Sequence, residues 1–371
     1  MYKIFPFITI IFIFMGFQDK IKSDYKPMFF SMNDEWKDIA KDESVFQFEV
    51  KSLDAIFNSE INYEVRLLSD SKGVPKLFFS EIETSVCADG ECKLANIKVY
   101  WNLLGNYVGF GIPPEYPLTK FEHHHFKKED YAKLHQLLLD DNSILKRRKM
   151  SDLIDKVPIF SSNIYSDDVD AISGATKTEI KEAVVKGGLY SCYTIWHLVH
   201  GEVKEKMEEY LKTINSDKLI HNFLSTPYKD YQMYALKQLK KSAYKEHSNQ
   251  IISIYKTSDA LTKVYILKKI PEDVLSEEFV TEQFYNKFPL IDINSRTLLI
   301  HRLKSANKNA SEILSKYVDS MSKNQLKFYL NYLNDSPKFI SNSCKSNLKK
   351  ASKNKKYTYS YLLKEFLKNR K

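Results

Sequence analysis

Glycine ends at position 201. The 371-residue chain has ten glycines, Gly16, Gly73, Gly90, Gly105, Gly109, Gly111, Gly174, Gly187, Gly188 and Gly201, and none in the 170 residues that follow. A long glycine-free stretch offers no cheap positive-φ positions for hairpin turns, so it disfavours β structure and suits helices joined by short polar or proline-containing links. The composition therefore divides the chain into a mixed N-terminal part and an all-α C-terminal part. Two or three domains also suit this length, at roughly 100 to 200 residues each. Hydrophobic residues at 43% and aromatics at 13% supply enough apolar area for packed cores, which excludes global disorder.

Charge is equally uneven. The net value is +9, but residues 338 to 371 hold eleven basic side chains against Glu365, leaving 45 basic and 46 acidic groups over 1 to 337. A nucleic-acid-binding surface over the whole protein is excluded, and no nucleic-acid partner is expected. The basic C-terminal helical tail, 338–371, reads as a solvated last helix, with a nucleic-acid or anionic-surface patch as the alternative.

The N-terminus reads Met1-Tyr2-Lys3 and then runs uncharged and apolar from Ile4 to Phe17, fourteen residues, before Gln18-Asp19-Lys20. That is signal-peptide length and short of the ~20 residues that span a bilayer. Residues 1–23 are therefore expected to be a signal peptide that directs an extracytoplasmic location, periplasmic or membrane-associated, with an uncleaved anchor as the alternative. Export permits disulfides. Cys87 and Cys92 flank Ala88-Asp89-Gly90-Glu91, and Asp-Gly is a favoured two-residue hairpin turn that would set the two cysteines opposite each other. A non-hydrogen-bonded cross-strand pair lies within disulfide reach, so a Cys87–Cys92 bridge is expected. Cys192 and Cys344 read as separate buried thiols.

From about 45 to 112, alternating segments (Val45–Val50, Tyr63–Leu67, Leu77–Phe79, Ile97–Trp101, Tyr107–Phe110) predict an antiparallel sheet with one wet face. Helices follow over Glu129–Asp140 and, interrupted near Gly187-Gly188, over Thr178–His200. Residues 45–203 thus form an α+β domain.

Between these helices lies Asp170-Ala171-Ile172-Ser173-Gly174-Ala175-Thr176-Lys177-Thr178. The pattern D-x-x-S-G-A-T resembles the flavinylation motif of FMN-binding domains, as in FMN-carrying subunits of Na⁺-pumping NADH:quinone oxidoreductases and Rnf-type complexes. Five fixed identities recur by chance about once in several thousand chains of this length. The resemblance implies FMN held covalently by a phosphoester on Thr176, with Asp170, Ser173, Gly174 and Ala175 as the recognition element. It also implies a Mg²⁺-dependent flavin transferase that uses FAD as the maturation partner. Thr176 is expected to open a helical run, Lys177 to Lys186, placing the phosphate at free N–H groups, with Lys177 and Lys181 adding charge. The competing reading is a capping box, Thr176-x-x-Glu179, which explains those two residues and not the other four. The E-T-P-G-L-G loop that covers the ring in many family members is missing; Gly109–Pro114 or Pro117–Lys120 stands in its place.

His123-His124-His125 and His135 match no zinc or haem spacing, and one of these imidazoles is better read as a hydrogen-bond donor near a flavin. His197 and His200 read as core or cap histidines. Nothing supports a hydrolase or NTPase.

Beyond residue 204, the pairs Leu236/Leu239, Leu267/Ile270, Ile300/Leu303 and Leu330/Leu333 recur every 30 to 33 residues. This period predicts stacked helical pairs over 204–337, similar to HEAT-type repeats, with Pro227, Pro271, Pro289 and Pro337 at links and an irregular bundle as the alternative. Together these features predict an exported FMN protein of extracytoplasmic electron transfer, docked through its helices to a membrane redox complex or other protein. The alternative is a secreted helical-repeat scaffold whose FMN domain is unloaded.

Overall fold

The computed structural model describes residues 26–50, 61–84, 86, 94–120, 123–149, 154–156, 169–170, 174–176 and 178–370, with backbone alone between 154 and 179. The expected signal peptide and the Cys87–Cys92 pair lie outside the described residues. The chain divides into two compact units, Met1–Ile214 and Asn215–Lys371.

The first unit is built on a six-stranded antiparallel sheet. Its strands are β1 (Phe29–Phe30), β2 (Ile39–Val50), β3 (Ile61–Asp70), β4 (Pro75–Thr84), β5 (Ala95–Asn102) and β6 (Tyr107–Gly111), in the order β1-β6-β5-β4-β3-β2. Strands β2 to β6 form a meander, and its tight turns rest on local side-chain bonds. Asp70 Oδ1 accepts from the amides of Lys72 and Val74, and Asn102 Oδ1 accepts from those of Leu104 and Asn106. Such Asx bonds hold a turn while the flanking residues continue into strands. Gly105 completes the second turn at φ 73°, a conformation that costs a side-chain-bearing residue free energy.

One face of this sheet carries α4 (Leu189–His200), packed beside α2 (Lys128–Leu139). The last carbonyls of a helix have no partner inside it. Here Trp101 Nε1 donates to the Val199 carbonyl at 2.9 Å, and the Tyr63 hydroxyl donates to that of Leu198 at 3.3 Å. Sheet side chains thereby cap the helix and fix its seat. On β5, Tyr100 meets Phe30 at 5.8 Å and Trp36 of α1 (Asn33–Lys37) at 5.5 Å. Tyr100 and Trp101, neighbours that point to opposite faces, are both fully buried. The expected wet face is thus covered at Tyr100, because the Phe30 ring of β1 and the Trp36 ring of α1 pack against it.

Helix α5 (Val203–Ile214) closes this unit: Tyr210 packs on Phe78 at 6.0 Å and Phe46 at 6.3 Å. The division therefore falls at Ile214 rather than at 203. Val203, Met207 and Leu211, one per turn, are the buried stripe that holds the helix to the sheet.

The second unit is all helical. Helices α6 (Asp217–Ser225), α8 (Ser248–Thr257), α11 (Glu278–Tyr285), α13 (Asn309–Ser315) and α15 (Asn342–Ser352) touch in succession as one row. A second row holds α7 (Lys229–Gln238), α9 (Ala260–Lys269), α12 (Ile293–His301), α14 (Lys323–Asp335) and α16 (Ser360–Lys368), with the single turn α10 (Glu272–Leu275) between rows. Hydrogen bonds also link segments of the second unit that are 32 to 37 residues apart. Arg302 Nη2 donates to the Ile270 carbonyl, Gln325 Nε2 to that of Ile293, Tyr357 to that of Met321 and Arg370 Nη2 to that of Leu333, across separations of 32, 32, 36 and 37 residues. The sequence anchors Leu236, Leu267, Ile300 and Leu330 are buried on the second row. Residues 338–371, expected as a separate tail, include α15 and α16, the last pair of the array. Cys344, Leu348, Leu363 and Phe366 of that pair are buried.

Candidate functional site

The motif folds as a hairpin inside a second, three-stranded sheet, β7 (Ile154–Lys156), β9 (Gly174–Thr176) and β8 (Val169–Asp170), in the order β7-β9-β8. Asp170 pairs with Gly174 and Val169 with Ala175; on the other side of β9, Thr176 pairs with Ile154. The first and later residues of the D-x-x-S-G-A-T pattern therefore lie directly across a ladder. Ser173 and Lys177 fall outside the described residues.

Thr176 does not open a helix. It ends β9, and the expected run over 177–186 is a single turn, α3 (Thr178–Lys181). Pairing with Ile154 places Thr176 at the end of a strand, two residues before the turn α3 rather than in a helix. Beyond α3 the chain turns through Gly187 into α4.

A cleft of about 880 Å³ opens elsewhere in the same unit. Its wall includes Ile112, Pro113, Pro114, Tyr116, Pro117 and Thr119, opposed by His123, His125, Phe126 and Tyr131. The segment Leu118–Phe126 doubles back on itself. Phe126 N donates to the Leu118 carbonyl at 2.8 Å and Lys120 N to that of His124 at 2.7 Å, with a bridge between Thr119 and His125. His123 sits in this turn at φ 59°, the described non-glycine residue with positive φ. Such a conformation is uncommon for a histidine, though histidine is enriched there several-fold. Tyr131 anchors the segment by accepting from Leu118 N at 3.1 Å, and Lys120 pairs with Asp130 at 2.7 Å.

Helix α2 ties cleft and motif together. Tyr131 faces the cleft, and two residues on, Lys133 Nζ donates to the Lys181 carbonyl at the end of α3 at 3.4 Å. Ser191 Oγ of α4 donates to the Thr119 carbonyl at 2.8 Å. Thr176 is five residues upstream of Lys181, a span of roughly 17 Å at most.

The other histidines are structural. His200 Nε2 donates to the Leu138 carbonyl at 2.8 Å, and His135 Nδ1 meets the Tyr107 hydroxyl at 2.8 Å. Burial holds the protonation of His135, His197 and His200 below the usual imidazole range and pushes Tyr107 well above the usual phenol range. Cys192 and Cys344 are buried free thiols. Among the described residues no three His, Cys, Asp or Glu side chains converge on a point that could hold a metal, and no helix is long and apolar enough to cross a membrane.

Of the segments expected near a ring, Ile112–Pro114 and Pro117–Thr119 supply cleft wall. Gly109 instead lies under β1, where a Cβ would sit 2.3 Å from the Phe29 carbonyl oxygen. Met28, Leu94, Tyr116, Phe126 and Tyr131 also line it and carry no sequence signal, since aromatic and apolar residues in this chain read first as core, and Glu115 adds a carboxylate. No known protein family, curated protein or solved structure matches the chain.

Proposed function

We propose that the protein is an exported flavoprotein that carries FMN in phosphoester linkage to Thr176 and serves extracytoplasmic electron transfer, its HEAT-like helical array docking a membrane redox complex or another protein. The observation that carries this reading is the pairing of Asp170 with Gly174. It gathers the motif into one compact hairpin that ends at the acceptor hydroxyl, and α2 pins the chain just beyond it.

The cleft is offered as the place for the flavin ring on its size and lining. Its volume lies within the roughly 300–1,000 Å³ of ligand sites, and its composition, apolar and aromatic with a few polar groups, is the usual one. Pro113, Pro114, Tyr116 and Tyr131 would bound the faces of a planar heterocycle, and Thr119, His123 and His125 would supply hydrogen bonds to its polar edge. FMN, when bound, supplies reversible one- and two-electron transfer.

Attachment balances as a transfer from FAD. The Thr176 hydroxyl oxygen would bond to the flavin-side phosphorus as the pyrophosphate bond breaks and AMP leaves, the hydroxyl proton passing to solvent or to a base of the transferase. Gly174 and Ala175 keep side-chain bulk low beside the acceptor, so the transferase and a dinucleotide could approach this backbone.

The test is co-expression with an FAD-dependent flavin transferase and Mg²⁺, then mass spectrometry of the Thr176 peptide. The reading requires an FMN adduct on wild type and none on Thr176→Ala. An unmodified wild-type peptide beside an active transferase would falsify it and leave the unloaded scaffold.

A further inference from the structure

The terminal helical pair presents a charge pattern that the fold itself does not use. Residues 215–371 carry 29 basic and 14 acidic side chains, and the excess is greatest at α15–α16. Eight lysines between 345 and 368 are exposed, with Glu365 as the one exposed carboxylate of that stretch. Among the described residues none of the eight is engaged in an ion pair. Two carboxylates that touch this end from the preceding helices are bound by neutral donors: Glu312 accepts from Ser341 at 2.7 Å and Asp319 from Asn354 at 3.1 Å. Arg370 differs, since it bonds the Leu333 carbonyl and lies over the Phe366 ring, and it belongs to the packing.

A solvated end helix needs polarity, which mixed signs provide at no electrostatic cost. Here Lys345/Lys349, Lys349/Lys353 and Lys364/Lys368 are like-charge pairs four apart, an arrangement that destabilises a helix. The C-terminal ends of α15 and α16 favour Lys349, Lys350 and Lys368, and Glu365 stands three residues from Lys368, yet these offset only part of an exposed excess of eight lysines over one carboxylate, which an external anionic surface would complement. Lysine in place of arginine selects among polyanions. Arginine's planar fork suits bidentate recognition of individual phosphates and bases, whereas ammonium point charges suit a diffuse anionic plane. Tyr361, half exposed on α16, adds an amphipathic ring of the kind that settles at headgroup level. The apolar Ile4–Phe17 run, read as an export signal or anchor, brings such a chain to a membrane.

We propose that the α15–α16 end of the array is a docking face for anionic phospholipid surfaces, with Lys349, Lys350, Lys353, Lys355 and Lys356 as its centre and Lys364 and Lys368 alongside. This rests on the export reading and is independent of the flavin.

The test is vesicle co-sedimentation of the full chain, comparing phosphatidylglycerol-containing vesicles with pure phosphatidylcholine. The difference between the two is read, so that any partition of the apolar N-terminal run, which does not depend on lipid charge, cancels. Binding to anionic vesicles should exceed binding to neutral ones at least tenfold in 50 mM salt and collapse in 500 mM. K349E/K350E/K353E/K356E should lose that increment, and K237E/K268E, on exposed lysines of α7 and α9, should keep it. If circular dichroism shows the quadruple variant unfolded, K364E/K368E must reduce the increment instead. Undiminished binding by a folded variant overturns the proposal. So does an equal loss in K237E/K268E, or tighter binding to DNA than to vesicles at matched phosphate.

Discussion

The Tyr107 hydroxyl lies 2.8 Å from His135 Nδ1, joining β6 to α2 within the first unit. Burial disfavours the charged ring, and in the neutral tautomer that carries its proton on Nε2 the tyrosine is the donor. His197 and His200, on the adjoining α4, are depressed by burial in the same direction. An unfolded histidine titrates near about 6.5. Above that pH neither state is charged at these groups; below it the unfolded chain takes up protons that the native form resists, so stability falls. The first unit should therefore lose stability from about pH 7 toward pH 5, with these groups contributing no change from pH 7 to 8. Denaturant melts across that range check this, and a flat profile between pH 7 and 5 contradicts it.

Tyr107→Phe removes the donor and leaves His135 Nδ1 facing an apolar ring. The expected cost is about 1–2 kcal/mol, the usual effect of stranding one buried acceptor. Histidine NMR titration gives the sharper readout. The loss of a partner for the neutral ring should raise the pKa of His135, while that of His200, held by the Leu138 carbonyl, stays put.

Gly109→Ala tests the close approach of β1. The new Cβ would lie 2.3 Å from the Phe29 carbonyl oxygen and 3.0 Å from the Phe30 Cα, both backbone atoms that cannot rotate away. Strand β1 must detach or β6 must bend, at a cost of about 1–3 kcal/mol. Hydrogen exchange should show the Met28 and Ser31 amides, which donate to the Phe110 and Val108 carbonyls, losing protection before the rest of the sheet. Retained protection at those two amides would mean that the strand tolerates the methyl group.

The sequence made the sheet legible where side chains alternate, as in Ile61–Asp70 and Ala95–Asn102, because a one-residue slip would turn every apolar group outward. It hid β1, since two phenylalanines carry no period; the signal was the Gly109/Gly111 pair on β6, whose bareness admits another backbone. The helical array showed through its anchor spacing, since each pair buries its apolar face only on its neighbours. The end of the first unit was hidden because α5 is helical and glycine-poor like the array, and its allegiance depends on Tyr210 reaching Phe78 and Phe46. At the candidate site, the motif was visible by identity and its backbone state was not. Thr-x-x-Glu predicts a helix start at Thr176, whereas pairing with Ile154, a partner distant in sequence, makes Thr176 the end of a strand.

The array offers the last test. The Tyr329 hydroxyl on α14 donates to the Ser311 carbonyl at 2.6 Å and lies 3.6 Å from Cys344 Sγ, so one fully buried group joins α14, α13 and α15. Tyr329→Phe should cost about 1–3 kcal/mol, because the carbonyl it leaves has no water to turn to. Leu290→Ala, at a side chain 76% exposed, should stay within about 0.5 kcal/mol. In a stack where each pair rests on its neighbours, a defect at this junction weakens the terminal pair most. Hydrogen exchange should therefore show α15 and α16 opening first in Tyr329→Phe, with α6 and α8 unchanged. Uniform loss of protection along the array would instead mean that the helices unfold as one block.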